Sequence, residues 1–348
     1  AFTDQVEEAE VIVVNTCGFI DAAKEESIDT ILDLAKLKEI GKLETLLLAG
    51  CLAQRYPEEL LEAIPEADGI LGPGHIRSIN EAIVEAENHE KPIYASSLEN
   101  NYLEDARREE VSVTEYVKIS EGCNNRCSYC IIPYLKGNNR SRSMEHIVDE
   151  IRHLVENGTR EVILIGQNTT DYGIDLYGRY ALVDLLKALR SIDDLRWVRI
   201  LYAYPDHFDD ALIEEMKENP KILPYIDIPI QQVADPVLKR MNRKTDRRAI
   251  ETLITRLRSA MPDIAIRSTF LLGFPGETDE DFQDVLDFLE EYPLDRAGAF
   301  AYSREEGTPA ATMEDQVDDD IKEERVDAFM ALQMGVSEAL MEKHVGRV

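Results

Sequence analysis

Three cysteines occupy one short loop of the sequence and could bind a metal centre. Cys123, Cys127 and Cys130 are separated by three and two residues, with no other Cys and no His among them. A cluster of four irons takes four ligands, so one iron would keep a position open for a ligand that is not protein. Open positions are where metal sites do chemistry, and the spacing therefore favours an iron–sulfur centre. A zinc knuckle and a buried trio of reduced thiols are the alternatives, although structural zinc usually takes four ligands and no second C-x2-C pair is present.

The other two cysteines follow the first two predicted strands of the chain. Cys17 and Cys51 each have a glycine beside them, Gly18 and Gly50. Because parallel strands present their carboxyl ends at one edge of a sheet, we expect both thiols at the same edge. Two small buried side chains are the alternative, since free cysteines often pack as hydrophobic residues. Two thiols do not complete an iron–sulfur site, so we expect a third ligand upstream of Ala1.

Short β-branched runs alternate with amphipathic stretches along the whole chain, which is typical of βα units and a parallel sheet. The predicted strands are Val11–Val14, Thr45–Ala49, Gly69–Gly72, Tyr116–Ile119, Val162–Ile165, Val198–Leu201, Tyr225–Ile228, Ile264–Leu272 and Gly298–Tyr302. The predicted helices are approximately Asp21–Lys38, Pro57–Glu62, Ile76–Glu87, Met144–Asn157, Ala181–Ser191, Asp246–Ala260, Asp279–Glu291 and Asp319–Lys343.

These elements predict an α/β protein of two domains. We expect a Rossmann-like amino-terminal domain over 1–95, a polar, acidic linker over 96–112, and a second domain over 113–348. Six βα units in the second domain suit an open sheet or an incomplete TIM-type barrel better than a full eight-fold barrel. In either architecture, chemistry is expected at the carboxyl ends of the strands, and the loop of three cysteines follows the first of them.

The C-x3-C-x-aromatic-C loop resembles the signature of radical S-adenosylmethionine enzymes. The resemblance implies that Cys123, Cys127 and Cys130 bind a 4Fe–4S cluster whose open iron chelates S-adenosylmethionine. In that family an electron from the cluster cleaves the sulfonium and gives a 5′-deoxyadenosyl radical. The positions that resemble its cofactor contacts are Tyr129, Gly166, Gln167, Arg267, Gly273 and Tyr302. A simple turn at Gly166 or Gly273 and a packed ring at Tyr302 are the alternatives.

The segments Asn15–Cys17 and Gly50–Leu52 are similar to two cysteine motifs of the methylthiotransferases, and the resemblance covers almost all of the chain. It implies that Cys17 and Cys51 bind an auxiliary 4Fe–4S cluster whose first cysteine has no counterpart here. The family's carboxy-terminal TRAM domain would begin near Val348. The implied reaction uses one S-adenosylmethionine to methylate sulfur at the auxiliary cluster. A second S-adenosylmethionine generates the radical that takes hydrogen from the substrate carbon. That carbon then receives the methylthio group.

Two branches of this family differ in substrate. The RimO type modifies the β-carbon of an aspartate in ribosomal protein S-twelve, and the MiaB type modifies a tRNA adenosine. Leu201–Pro205, Tyr225–Gln231 and Phe300–Ala310 resemble the RimO type, whereas Gly166–Asn168 is closer to the tRNA branch, and Gln232 stands where the RimO type often has His. The resemblance implies S-twelve or the small ribosomal subunit, a reducing electron donor and a sulfur source as partners. Three alternative functions remain open. They are a tRNA methylthiotransferase, a radical enzyme that catalyses a different reaction with the same cofactor, and a non-catalytic metal-binding scaffold that binds a ribosomal partner.

The composition is that of a globular protein with an acidic surface. The 348 residues include 69 acidic and 38 basic ones, for a net charge of −31. This charge repels phosphate and attracts basic partners, although an acidic proteome would give the same value. Without a transmembrane run or a signal peptide, we expect a cytoplasmic protein with no membrane partner. The basic clusters are interpreted as solvated faces, with Arg140 and Arg142 close enough to the cysteine loop to reach a substrate; they are Arg140–Arg142, Lys239–Arg240, Arg243–Lys244 and Arg247–Arg248.

Overall fold

The computed structural model describes residues 2–96, 98, 108 and 110–346. Two compact units make up the chain: Ala1–Tyr102 with Cys130–Asn138, and Leu103–Tyr129 with Asn139–Val348. Most of the linker predicted at 96–112 lies outside the described residues, as do Arg347 and Val348 at the end of the second predicted domain. The predicted domain limits therefore stay predictions.

The first unit contains a parallel sheet of four strands whose spatial order follows the chain. The strands are β1 Val11–Thr16, β2 Thr45–Gly50, β3 Gly69–Leu71 and β4 Ile93–Tyr94. The helices are α1 Asp21–Ala35, α2 Leu37–Ile40, α3 Cys51–Arg55, α4 Pro57–Ala63, α5 Ile79–Glu87 and α6 Ile132–Leu135. The sequence pattern did not predict β4, because two residues are too few to show a strand period.

Strand β2 explains why this sheet is covered on both faces. Leu46 and Leu48 belong to one hydrophobic cluster, and Leu47 and Ala49 belong to another. Successive side chains of a strand point to opposite faces, so a continuous apolar run fills a core on each side. The first unit is therefore a parallel sheet between two helical layers, as the Rossmann-like prediction requires.

The second unit is built on six parallel strands in the spatial order β12, β11, β10, β9, β8 and β5. These strands are β5 Thr114–Lys118, β8 Glu161–Ile165, β9 Trp197–Ile200, β10 Ile222–Gln231, β11 Ala265–Leu272 and β12 Arg296–Ala301. A short antiparallel hairpin, β6 Ser120–Glu121 with β7 Arg140–Ser141, was not predicted. Within the described ranges, β5 and β12 each pair on one side only, and this confirms the prediction of six βα units that do not close a barrel.

Helices separate the strands of the second unit. They are α7 Met144–Glu156, α8 Ile174–Tyr177, α9 Leu182–Leu189, α10 Asp210–Glu218, α11 Asp235–Arg240, α12 Arg247–Ala260, α13 Asp279–Glu291 and α14 Asp319–Glu342. Side-chain caps fix where several of them begin. Asp246 accepts a hydrogen bond from the Ala249 N–H, and Thr278 forms a capping box with Asp281. Such caps satisfy backbone donors that the first helical turn leaves free.

The strands of the second unit have unlike faces. Val117, Val162 and Ile200 belong to the large core that the helices cover. Tyr116 is exposed, and Arg199 is half-buried in an ion pair with Glu161 (3.0 Å). Side chains alternate along a strand, so one face is a core and the other is a partly open polar surface.

No helix within the described ranges is long and apolar enough to cross a membrane.

Candidate functional site

The cysteine loop of the second unit is tied to two other segments through Ser128. The Ser128 N–H donates to the Met241 carbonyl (3.0 Å), and its Oγ donates to the Arg240 carbonyl (2.8 Å). The Ser128 carbonyl accepts from the Ala310 N–H (2.8 Å). Three hydrogen bonds at one residue hold the middle of the loop at the carboxyl edge of the sheet, between Cys127 and Tyr129.

The thiols of this loop differ in exposure. Cys123 and Cys127 are buried, whereas Cys130, which is grouped with the first unit, is half-buried. Burial raises the pKa of Cys123 to about 11, although the Asn125 N–H acts in the opposite direction. A buried thiolate therefore needs a compensating positive charge, which a metal supplies. Within the described part of the chain, no three or more His, Cys, Asp and Glu side chains are grouped so that they could hold a metal ion. The ligand role of the three cysteines stays a prediction.

Arg243 is a buried cation next to this loop. Its side chain donates through Nη2 to the Pro229 carbonyl (2.5 Å), and its Cζ lies 4.0 Å from the centre of the Tyr204 ring. Burial alone lowers the pKa of Arg243, but the attraction of Tyr129, Tyr204 and Cys127 raises it above the usual value. The interpretation of Arg243 as part of a solvated basic face was therefore wrong. No local pattern marks it, because its partners come from other strands and loops.

Arg142 is also buried, contrary to its interpretation as a residue able to reach a substrate. It is 4% exposed, it pairs with Glu150 (2.6 Å), and it donates to the Lys118 carbonyl (2.8 Å). Its guanidinium is thus committed to holding helix α7 against strand β5. Glu150, eight residues further along, is the partner that sequence reasoning did not consider.

Gly166 and Gln167 follow strand β8 at the same edge. A Cβ atom on Gly166 would lie 2.6 Å from Ser120 Oγ, so any larger residue there would displace the Ser120 side chain of hairpin strand β6. Several buried polar atoms around this edge have no hydrogen-bond partner among the described residues, among them Ser120 Oγ, Asn125 Nδ2 and Gln167 Oε1. Buried polar groups are usually satisfied, so these atoms are candidates to bind a polar ligand.

The turn after strand β11 is held by a buried carboxylate. Gly273 has a φ of 70°, which favours glycine, and its N–H donates to Glu277 (2.8 Å). Glu277 also pairs with Arg325 (2.8 Å) and accepts from Gln232 (2.9 Å). Burial raises the pKa of Glu277, although these donors oppose the shift. The network gives Gln232 a role of its own at the position where the RimO type often has His.

Three aromatic rings line the neighbouring wall. The Phe274 ring lies edge-on to Tyr302 and to Tyr129, with ring centres 5.5 Å and 6.4 Å away. Tyr302 is 3% exposed, and burial raises its pKa to about 12, so it stays protonated at neutral pH. The structure thus brings the predicted residues Tyr129 and Tyr302 together through Phe274, which the sequence analysis did not select.

Arg267 lies apart from the other predicted residues. It is near the start of β11, six residues before Gly273, or about 20 Å along an extended strand. Its side chain pairs with Asp227 (3.0 Å) on strand β10. Burial raises the pKa of Asp227, and the Arg267 charge opposes that shift. The structure does not place Arg267 at the carboxyl edge.

The two cysteines of the first unit do share one edge. Strands β1 and β2 pair in parallel with Thr16 opposite Gly50, and Cys17 and Cys51 are the next residues. A Cβ on Gly18 would lie 2.9 Å from the backbone of Leu52, so the two cysteine segments pack closely. Cys17 is exposed and Cys51 is half-buried. This arrangement agrees with the expectation that both thiols lie at one sheet edge.

Comparisons with known proteins place these features in a family. The model of the radical SAM superfamily matches residues 117–289, and that of the uncharacterized protein family UPF0004 matches residues 1–72. A ribosomal protein uS12 methylthiotransferase RimO from Desulforamulus reducens is 49% identical, over 99% of this chain and 78% of the relative. Proteins of the same name from Clostridioides difficile and Geobacter sulfurreducens are 46% and 48% identical, over 98% and 96% of this chain and 77% and 76% of the relatives. The chain belongs to the RimO family. The resemblance expected from the cysteine motifs is thereby confirmed.

Solved structures support the fold of this RimO family member. The radical S-adenosylmethionine methyltransferase TsrM from Kitasatospora setae, with cobalamin and a [4Fe-4S] cluster bound, matches with a TM-score of 0.64 at 15% identity. The match covers 87% of this chain and 66% of TsrM. The cobalamin-dependent enzyme OxsB matches with a TM-score of 0.59 at 14% identity, over 94% of this chain and 48% of OxsB. At these identities the similarity concerns the fold alone.

The residues of the cysteine loop and of the strand ends near it fit the cofactors that the radical SAM superfamily implies, S-adenosylmethionine and a 4Fe–4S cluster. The cysteine loop offers sulfur ligands of the kind that iron prefers. Ser120, Asn125 and Gln167 offer unsatisfied buried donors and acceptors at the same edge. The aromatic wall supplies an apolar surface, and apolar walls with a few polar groups are typical of cofactor sites.

Proposed function

We propose that this chain methylthiolates the β-carbon of an aspartate in ribosomal protein uS12. The observation that carries the proposal is identity of 49% along almost the whole chain to a relative of that name. The local chemistry supports it, since a loop of three thiols follows the first strand of a six-stranded parallel sheet. Cofactor enzymes of this architecture act at that edge.

Cys123, Cys127 and Cys130 would hold the 4Fe–4S cluster of the cysteine loop. Tyr129, Gly166, Gln167, Gly273 and Tyr302 would contact S-adenosylmethionine. We leave Arg267 out of this set because it pairs with Asp227 away from the carboxyl edge. When bound, the two cofactors supply one-electron cleavage of a carbon–sulfur bond and hydrogen abstraction from a carbon atom.

The residues of this chain would bind and orient the cofactors and shield the radical from water. Ser128 holds the loop in place, and the Glu277 carboxylate fixes the Gly273 turn by accepting its N–H. Phe274 is fully buried beside Tyr302, so water is kept from this wall of the site. Exclusion of water matters because a reactive radical would otherwise be lost in side reactions.

Cys17 and Cys51 would bind the auxiliary cluster at the edge of the first sheet. Their strands place both segments side by side, and Gly50 and Gly18 allow the close backbone approach. The proposal also requires a third sulfur ligand for the auxiliary cluster and a source of the sulfur that is transferred. We also propose an external one-electron donor and, because the substrate is a ribosomal protein, a reaction in the cytoplasm. The net charge of −31 favours association with a basic ribosomal protein.

The test is mass spectrometry of uS12 after anaerobic incubation with the full-length enzyme, S-adenosylmethionine, sulfide and a reductant. We expect a methylthio mass increase on one aspartate. Cys127→Ala is the control, and it should give neither the increase nor 5′-deoxyadenosine. Parallel incubation with tRNA separates the two branches of the family, since modified tRNA with unmodified uS12 would overturn the proposal. If the wild type forms no more 5′-deoxyadenosine than Cys127→Ala, the scaffold hypothesis is favoured instead.

A further inference from the structure

Arg243 carries a full positive charge inside the second unit. It is 9% exposed, and it lies just after helix α11, in the segment that also anchors the cysteine loop. Its Nη1 donates to the Tyr129 hydroxyl (3.4 Å), and its Nη2 donates to the Pro229 and Ile230 carbonyls (2.5 Å and 3.3 Å). None of these partners is a carboxylate, so hydrogen bonds hold the guanidinium without neutralising it.

Arg243 reaches the cysteine loop through the Tyr129 hydroxyl (3.4 Å), and Cys127, two residues before Tyr129, becomes an anion when it binds a metal. The electrostatic attraction between Cys127 and Arg243 contributes to the raised pKa of the arginine. Arg243 Nε is buried and has no hydrogen-bond partner in the described chain. The Tyr204 ring, 4.0 Å from Cζ, covers one side of the guanidinium and keeps water away. A charge in such a place acts over a short distance with little screening.

We propose that Arg243 raises the reduction potential of the cluster bound through Cys127. This inference rests on the proposed function only for the presence of a cluster on the loop, and not for the identity of the substrate. Net charge near the cluster and hydrogen bonds to its sulfurs are the main means by which a protein sets such a potential.

The sign follows from charge balance. One-electron reduction adds a negative charge to the cluster, and the electron comes from the external one-electron donor. A fixed positive charge near the cluster stabilises the reduced form more than the oxidised form. Removing the charge therefore makes the cluster harder to reduce. A lysine at this position keeps the charge and loses only the planar arrangement of hydrogen-bond donors that arginine provides.

The test compares Arg243→Gln, Arg243→Lys and Arg190→Gln in a Cys17→Ala, Cys51→Ala background, so that the loop holds the only cluster. Arg190 is the matched control, because it donates two hydrogen bonds to Glu215 between helices α9 and α10. Each anaerobically reconstituted protein is titrated with dithionite, and the reduced cluster is followed by electron paramagnetic resonance. Iron content and circular dichroism measure cluster occupancy and folding.

We expect Arg243→Gln to lower the ratio of reduced to oxidised cluster about tenfold at a fixed potential, which is about 59 mV for one electron. Arg243→Lys should recover most of that ratio, and Arg190→Gln should match the parent. An unchanged ratio in Arg243→Gln overturns the inference. Loss of the cluster from both Arg243 variants with folding intact also overturns it, since the guanidinium would then act only through its hydrogen bonds. If the parent protein binds no iron, the proposed function is contradicted. If the redox titration gives the expected result but the full-length enzyme leaves uS12 unmodified, only the proposed substrate is contradicted.

Discussion

The two units present cysteines in the same topological position but in different surroundings. In each unit the thiols follow parallel strands at their carboxyl ends. Cys123 and Cys127 are buried on a loop fastened by Ser128, whereas Cys17 is exposed and Cys51 is half-buried at the edge of the first sheet. A buried thiol site excludes water, which suits radical chemistry. Under the proposed function, an accessible one would let sulfur and methyl groups be delivered from outside. The same topology would then hold two clusters that differ in burial.

The largest effect that tests this comparison is the loss of a proposed ligand. Cys127→Ala should abolish the cluster of the cysteine loop and reduce 5′-deoxyadenosine formation by more than about 100-fold, since even the outer partners of a metal site cost 10–100-fold. Cys17→Ala should leave that activity almost unchanged. Iron content and product chromatography measure both. Equal losses in the two variants would show that the two cysteine sets do not act separately.

Thiol reactivity in the metal-free protein should also separate the two regions. With its pKa raised to about 11, the Cys123 thiol is only about one part in a thousand thiolate at pH 8, and thiolate is the reactive form. We expect alkylation about 100-fold slower than that of free cysteine, increasing as the pH rises towards 11. Exposed Cys17 should react first. Peptide mapping by mass spectrometry gives both rates, and early labelling of Cys123 would contradict its burial.

The glycines beside the cysteines allow a matched test in the first unit. Gly50 has φ 101° and ψ −161°, and a Cβ there would lie 2.4 Å from the Thr16 carbonyl oxygen. We expect Gly50→Ala to lower the free energy of unfolding by about 2–4 kcal/mol, from backbone strain plus overlap. Gly41 has φ 96° with open space around it, so Gly41→Ala should cost about 1 kcal/mol. Urea denaturation measures both, and equal costs would mean that β1 and β2 are not packed so closely.

The smallest expected difference concerns the serines that hold each cysteine segment. Ser128→Ala removes a hydrogen bond to the Arg240 carbonyl and should cost about 1 kcal/mol of unfolding free energy. Ser27, whose Oγ accepts from the Cys17 N–H (3.0 Å), lies in a more exposed place, so Ser27→Ala should cost about 0.5 kcal/mol. Thermal unfolding compares them. A larger cost for Ser27→Ala would reverse the comparison between the two regions.

Much of the architecture could be predicted because the signals are local. The apolar run of β2 and the six later strands appear as uninterrupted or alternating segments, and Asp246 and Thr278 mark helix starts. Strand β4 and the β6–β7 hairpin could not be found, because each segment has only two residues and is stabilised by pairing with distant chain. Pairing of that kind has no period in the sequence.

By itself, the sequence determined the chemistry available to this protein: three thiols on one loop, two more after neighbouring strands, and the order of the βα units. Only the tertiary structure decided which side chains serve that chemistry. It buried Arg243 between Tyr129 and Tyr204, committed Arg142 to Glu150, and paired Arg267 with Asp227 away from the site. Residue type and spacing are local properties, whereas burial and the partner of a charge depend on residues far apart in the chain. The five cysteines could therefore be recognised in advance, and the buried arginine could not.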